Sequence, residues 1–150
     1  MLMICGTYQL LGRGFKTADG QMIPGIGIFK AETVASKVRM IGNLVVDSPY
    51  GRLVGFENHS GQTKLDSGQQ PLGTVVKGYG NNDHDRHEGA VYNNVFGTYL
   101  HGSLLPKNPR LADYLLKKAL ERKYGGPIEL SPLDDELELK AAAIAAKRPQ

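Results

Sequence analysis

Cysteine is nearly absent: the 150 residues contain one, Cys5, which cannot build an intramolecular disulfide framework. Long apolar runs are missing too, and none approaches the ~20 residues needed to span a bilayer. No stretch concentrates charge of one sign, because 18 basic residues are scattered among 15 acidic ones for a formal net charge of +3. Without a basic stripe for phosphate contacts, nucleic-acid binding gains no support. There is no internal repeat, no low-complexity tract and no complete nucleotide-binding motif. Gly25-Ile26-Gly27 is half of a dinucleotide fingerprint whose third glycine is absent. The short apolar run Met1–Ile4 lacks the basic flank and cleavage site of a signal peptide. What is present, 41% apolar and 22% charged residues, fits one globular domain or a piece of a larger one in a reducing cytoplasm.

The residue patterns predict a mixed α/β organisation. Met1–Ile4 reads as the end of a buried parallel strand, followed at Cys5–Gly12 by a helical pattern that starts at a small residue. Short β-rich runs bounded by Gly, Pro, Asn or Asp are expected over Ile26–Phe29, Val38–Val46, Leu53–Phe56, Thr74–Lys77 and Val91–Tyr92. Another run, Asn94–Leu100, leads directly to His101. The last third turns helical. Asn108 is placed to cap, Pro109 to occupy the first helical position, and Leu111, Leu115, Ala119 and Leu120 to form an apolar stripe ended by Gly125-Gly126. A second helix is expected to start at Ser131, with Asp134 in capping-box spacing. It runs through Leu137 and Ala141 towards Ile144 and frays over Lys147–Gln150.

Cys5 stands between an apolar strand and a glycine that opens a helix. A thiolate there is stabilised by the helix N-terminus, and the Gly6 N–H is free to face a developing oxyanion. Local context leaves a buried structural cysteine equally open. His101 tips the balance, because thiol catalysis needs a base within hydrogen-bond reach and a strand ending in Tyr99-Leu100-His101-Gly102 presents an imidazole beside another strand's end. His84 and His87 have His-x-x-His spacing in a polar loop, but no patterned third ligand accompanies them, so a solvated loop is preferred to a metal site. His59 either lines the site or packs a loop. Lys37-Val38-Arg39 sets a cation in an apolar β run, where a guanidinium can hold an α-carboxylate bidentately. Unaided, a solvent-facing strand arginine is the preferred reading.

Taken together, Cys5–Gly12, Gly55–Gly61 and Gly97–Gly102 resemble the nucleophile, middle and histidine motifs of a glutamine amidotransferase family. That family includes the glutaminase subunit of lipid II isoglutaminyl synthase and, beyond it, the cobyric acid synthase group. The runs Gly89–Val95 and Leu105–Pro109 are closer to the isoglutaminyl synthase group. The resemblance implies an α/β class I glutamine amidotransferase-like fold, a flavodoxin-like mixed sheet flanked by helices. It also implies that residues 1–150 are the C-terminal portion of that domain, starting at the nucleophile strand, with the family's preceding stretch missing. Carried over position by position, Cys5 is the nucleophile that forms a glutamyl thioester, His101 its base and Arg39 the substrate-carboxylate clamp, with Gln9 contributing to glutamine recognition. The acid found two residues after the histidine in many relatives is absent from His101-Gly102-Ser103, so an acid from elsewhere or from a partner is expected to orient the imidazole. The implied reaction is hydrolysis of L-glutamine to glutamate and ammonia for a Mur-ligase-like (MurT-type) synthetase subunit that amidates the D-glutamate of lipid II. No cofactor is expected in this chain, ATP and metal residing on the partner. Corrinoid amidation and a non-catalytic binding module remain the alternatives.

Overall fold

A computed structural model describes residues 1–149. Its frame is one long antiparallel hairpin, β4 (Ala31–Ser48) against β5 (Gly51–Leu65), paired from Ala31↔Leu65 to Ser48↔Gly51 with one register shift between Ala35 and Met40. Alternation along these strands sends Leu44, Val46 and Leu53 inward with essentially no exposure, the period-2 signature of a half-buried sheet. The other edge of β4 pairs with β2 (Gly14–Lys16) in parallel and with β6 (Gly73–Lys77) antiparallel. β3 (Met22–Pro24) and β7 (His87–Glu88) complete that sheet. A second, three-stranded sheet has the order β1-β9-β8, from Leu2–Ile4, Val95–Thr98 and Ala90–Tyr92. Two packed clusters hold the sheets together: Leu44, Val46, Leu53, Phe96 and Leu111 in one, and Tyr8, Leu11, Phe29 and Tyr99 in the other.

Most predicted elements form, often longer than read. The runs Val38–Val46 and Leu53–Phe56 are the centres of β4 and β5, and Val91–Tyr92 lies in β8. Ile26–Phe29 is not a strand. Three of its four amides are taken by the chain at and just after the end of helix α1 (Gly6–Leu10), Ile26 N donating to Leu10 O, Gly27 N to Gly12 O and Phe29 N to Leu11 O, all within 2.9 Å, which leaves no continuous row of donors for a ladder. The segment still buries Phe29 completely.

After β9 come α2 (Leu104–Lys107), α3 (Pro109–Tyr124) and α4 (Glu136–Lys147). Pro109 opens α3 and Gly125 ends it at φ 76°. The Asn108 side chain does not cap the helix. It turns to β5, exchanging bonds of 2.8 and 2.9 Å with Val54 N and O, and so fixes α3 against the hairpin. The helix expected from Ser131 begins five residues later. Asp134 accepts the Glu136 N–H instead of serving a box at Ser131. The helix ends at Lys147, and the carbonyls of Arg148 and Pro149 beyond it accept from Lys77 Nζ and Asn43 Nδ2. Gln150 lies outside the described residues. Among the described residues no helix is long and apolar enough to cross a membrane.

Candidate active site

β1 and β9 run parallel in the register Ile4↔Thr98, and both carry their distinctive residue just past the strand's C-terminal end. At the end of β1 the chain turns sharply. Cys5 adopts φ 56° and ψ −113°, a conformation that costs a non-glycine residue about 1–3 kcal/mol and persists only where the surroundings enforce it. Two contacts enforce it here: Cys5 N donates to Thr98 O at 2.9 Å, and Cys5 O accepts the Gln9 N–H at 3.0 Å as the first bond of α1. The Ile4 backbone is clamped in turn by the Thr7 hydroxyl, which accepts from Ile4 N and donates to Ile4 O. The thiol is half-buried. A Cβ built on Gly6 would meet nothing within 4 Å, so the space beside its Cα is open.

His101 is tied to both sheets. Its backbone forms an isolated bridge with Phe56 on β5, and His101 Nδ1 lies 2.7 Å from Tyr99 O. A carbonyl only accepts, so the proton sits on Nδ1, and the lone pair of the neutral ring is left on Nε2. No hydrogen bond joins Cys5 to His101 among the described residues. The structure brings the two to the same end of two adjacent strands.

Arg39 falls inside a bulge. Ala35 pairs with Gly61 and Met40 with His59, so four residues, Ser36 to Arg39, face Ser60 alone. The bulge leaves Arg39 exposed, with Nε donating to Asn58 Oδ1 at 2.8 Å. Asn58 follows Phe56 by two residues and shares its outward face, so roughly 7 Å of strand separates the anchor of Arg39 from that of His101. Arg39 makes no contact with either Cys5 or His101 within hydrogen-bond range. Gln9 Nε2 donates to Tyr99 OH at 3.0 Å and lies against Gly61, between the elbow and the bulge. A cleft of about 260 Å³ touches the elbow, lined by Gly6, Gln9, Leu10, Phe15, Ile23 and Gly25 among others.

Of the remaining histidines, His84 and His87 pair separately with Asp83 and Asp85. His59 neither lines the site nor packs a loop. It is a buried β5 residue stacked on Tyr99 at 3.5 Å between ring centroids, with Nδ1 bonded to Gly61 O and Nε2 3.8 Å from Glu57 Oε2. Burial pushes the Tyr99 phenol up to about 12, opposed by its bonds with Thr63 and Gln9.

Two fully buried acids were not legible as site-supporting residues. Glu57 accepts the Tyr79 and Gly80 N–H groups with its two oxygens. Glu88 accepts with Oε1 from the Thr98 hydroxyl and from Tyr99 N, while Oε2 has no partner among the described residues. Desolvation pushes the Glu88 carboxyl up to about 7 against those bonds. Folding then favours the protonated acid. The associated stability is full below the ordinary carboxyl value and is lost as pH rises through about 7. Relative to Glu88→Gln, the unfolding free energy of the wild-type chain is expected to fall by about 2–3 kcal/mol between pH 5 and pH 8, read by urea denaturation at each pH.

A mixed α/β domain with a strained cysteine between a strand and a helix, beside a parallel strand that ends in a histidine, has the layout of thiol-dependent amide-hydrolysing domains. The model of the CobB/CobQ-like glutamine amidotransferase domain matches residues 1–109, and the chain belongs to that family. It is 48% identical over 148 residues to "Lipid II isoglutaminyl synthase (glutamine-hydrolyzing) subunit GatD" of Staphylococcus aureus, covering 98% of this chain and 60% of that protein. The subunit of the same name from Streptococcus pneumoniae is 42% identical, with 95% and 56% covered. A probable cobyric acid synthase of Methanothermobacter thermautotrophicus is 34% identical, with 88% of this chain but 28% of that protein covered. The chain thus spans little more than half the length of the two GatD relatives.

Proposed function

We propose that the chain is the cysteine- and histidine-bearing part of a glutaminase subunit that releases ammonia for a partner synthetase. The observation that carries this reading is the enforced turn at Cys5 next to an imidazole whose Nδ1 is occupied and whose Nε2 is free. Cys5 Sγ bonds to the side-chain carbonyl carbon of glutamine as the thiol proton passes to His101 Nε2. The oxyanion forms on the side of the Gly6 N–H. Collapse expels the amide nitrogen, which takes the proton from His101 and leaves as ammonia. Water, deprotonated by His101 Nε2, then adds to the thioester carbon, and collapse breaks the C–S bond, releasing glutamate as the proton returns from Nε2 to Cys5 Sγ.

Arg39 supplies the clamp for the substrate α-carboxylate. The bulge and the bond to Asn58 hold its fork outward on the face that carries the His101 bridge. Lysine keeps the charge but loses the planar fork, so Arg39→Lys is expected to raise KM for glutamine about tenfold with a smaller change in kcat. An exposed side chain makes little contribution to the core, so the thermal midpoint should be unaffected. Steady-state glutamate release across a glutamine series checks both points.

The greater similarity to the two isoglutaminyl synthase subunits than to the cobyric acid synthase supports lipid II as the acceptor system. On this reading a Mur-ligase-like (MurT-type) partner carries the ATP chemistry, and the ammonia converts the α-carboxylate of stem-peptide D-glutamate to the amide. The test of the reaction is intact mass after treatment with 6-diazo-5-oxo-norleucine, beside a Cys5→Ala control. One adduct that Cys5→Ala abolishes supports the assignment, and a folded chain that takes none removes it.

A further inference from the structure

Two consecutive peptide units connect Cys5, His101 and one buried carboxyl. In the Thr98–Tyr99 unit the carbonyl accepts the Cys5 N–H at 2.9 Å, while the N–H donates to Glu88 Oε1 at 2.9 Å. In the Tyr99–Leu100 unit the carbonyl accepts from His101 Nδ1 at 2.7 Å, while the N–H donates to Thr98 Oγ1 at 3.0 Å. That hydroxyl passes its own proton to the same Glu88 oxygen. Each amide therefore turns its oxygen to one of the paired residues and its N–H to Glu88, directly or through a single hydroxyl.

The carboxyl is itself immobilised. Glu88 has 0% exposure, pairs with Gly73 across β6 and β7, and accepts the Leu72 N–H on its backbone carbonyl at 2.8 Å. A peptide whose N–H is hydrogen-bonded is polarised, so its carbonyl becomes a stronger and better-aimed acceptor, the more so at low dielectric. No aspartate or glutamate of the described residues pairs with the His101 ring; the histidines that do face acids are His59, His84 and His87. The orientation that an acid against the imidazole would supply is available instead through the backbone.

We propose that Glu88 is the positioning residue of the Cys5–His101 pair, acting through the Thr98–Tyr99 and Tyr99–Leu100 peptide units. This rests on Cys5 and His101 being the reacting pair. Glu88 touches neither of them. Removing its acceptor leaves the Tyr99 N–H and the Thr98 hydroxyl unpaired, and both carbonyls lose the restraint that aims them. Glutamine at this position keeps an oxygen at Oε1. Valine at 98 cuts only the second route, at nearly constant shape.

The test uses the full chain labelled with 15N-histidine, as wild type, Glu88→Gln, Glu88→Ala and Thr98→Val. Two readouts are taken: the His101 ring tautomer by NMR, and the rate of Cys5 alkylation by iodoacetamide, which is unambiguous because Cys5 is the sole cysteine. Wild type should show the Nδ1–H tautomer. Glu88→Ala and Thr98→Val should average the two tautomers and slow alkylation about tenfold, and Glu88→Gln should restore both. A mere core-filling acid would move neither the tautomer nor the reaction of a folded variant. The proposal is overturned by wild-type values of both readouts in Glu88→Ala, or by a Glu88→Gln variant as impaired as Glu88→Ala. If Glu88→Ala does not fold, Thr98→Val decides alone on the same two readouts. Neither readout uses glutamine, so a chain that hydrolyses none but shows the Thr98→Val shift keeps the positioning role and loses only the proposed reaction.

Discussion

Cys5→Ala is expected to lower glutamine hydrolysis by more than about 1,000-fold, to the background of the assay. On the proposed path no other group can form the acyl bond, since the sequence holds no second thiol. His101→Ala should cost about 100- to 10,000-fold, the usual range for losing a positioned base. Its backbone bridge to Phe56 survives that change, so the strand end stays in place. The double variant should be no worse than Cys5→Ala alone, because the two side chains act in one step and their effects do not add. Initial rates of glutamate release, measured with matched thermal unfolding curves, check all three. Full activity in Cys5→Ala would remove the thioester mechanism, and additive losses would remove the pairing with His101.

Gly97→Ala should be a strongly destabilising single-methyl change. A Cβ there would lie 2.1 Å from Tyr8 Cδ2 and 2.8 Å from Phe29 Cε2, well inside van der Waals contact. Neither ring can retreat. Tyr8 is edge-on to Phe29 at 5.6 Å and to Tyr99 at 5.2 Å, and its hydroxyl donates to Asn81 Oδ1. Gly97 is in the central strand of the small sheet, opposite Met3 on one side and Ala90 on the other, so the backbone cannot move either. Overpacking of this kind costs about 3 kcal/mol or more. Because Tyr8 belongs to the helix that Cys5 caps, relief by lifting α1 would also displace the elbow. Urea unfolding should therefore show the stability loss, and Cys5 alkylation should slow in the fraction still folded. Tyr8→Leu in the same chain should recover part of the stability. An unchanged unfolding midpoint for Gly97→Ala would contradict the packing described here.

The site divides into parts with local and distant origins. The elbow was legible because a strand, a turn and a helix are written within residues 2–10: an apolar run, one small reactive residue, then a glycine and a helical period. The approach to His101 was legible for the same reason. Arg39 was visible as a cation in a β run, but its outward aim depends on a bulge opposite Ser60, and no feature of the strand alone announces four residues facing one. For His59 the sequence left a site-lining and a loop-packing role equally open, although Asn58, Ser60 and Gly61 beside it favour a turn. In the fold, pairing with β4 overrides that local preference and buries the ring on Tyr99.

The misplaced elements follow the same division. Ile26–Phe29 has strand composition, yet its amides find closer acceptors at the end of α1, a competition that periodicity cannot register. Ser131 has the spacing of a capping box, but no apolar face of α4 is fully buried, so little packing rewards an earlier start.

By itself the sequence determined the class of fold, the family, the turn at Cys5 and the delivery of His101 at a strand's end. Each of those rests on backbone preference and side-chain period over about ten neighbouring residues. Only the tertiary structure decided that β1 lies beside β9 across more than ninety residues of chain, that the bulge turns Arg39 outward, and that Glu88 meets the backbone between Thr98 and Leu100. The physical reason is that a buried amide or carboxyl must find a partner wherever one remains free. Which groups remain free is settled only when distant strands have paired.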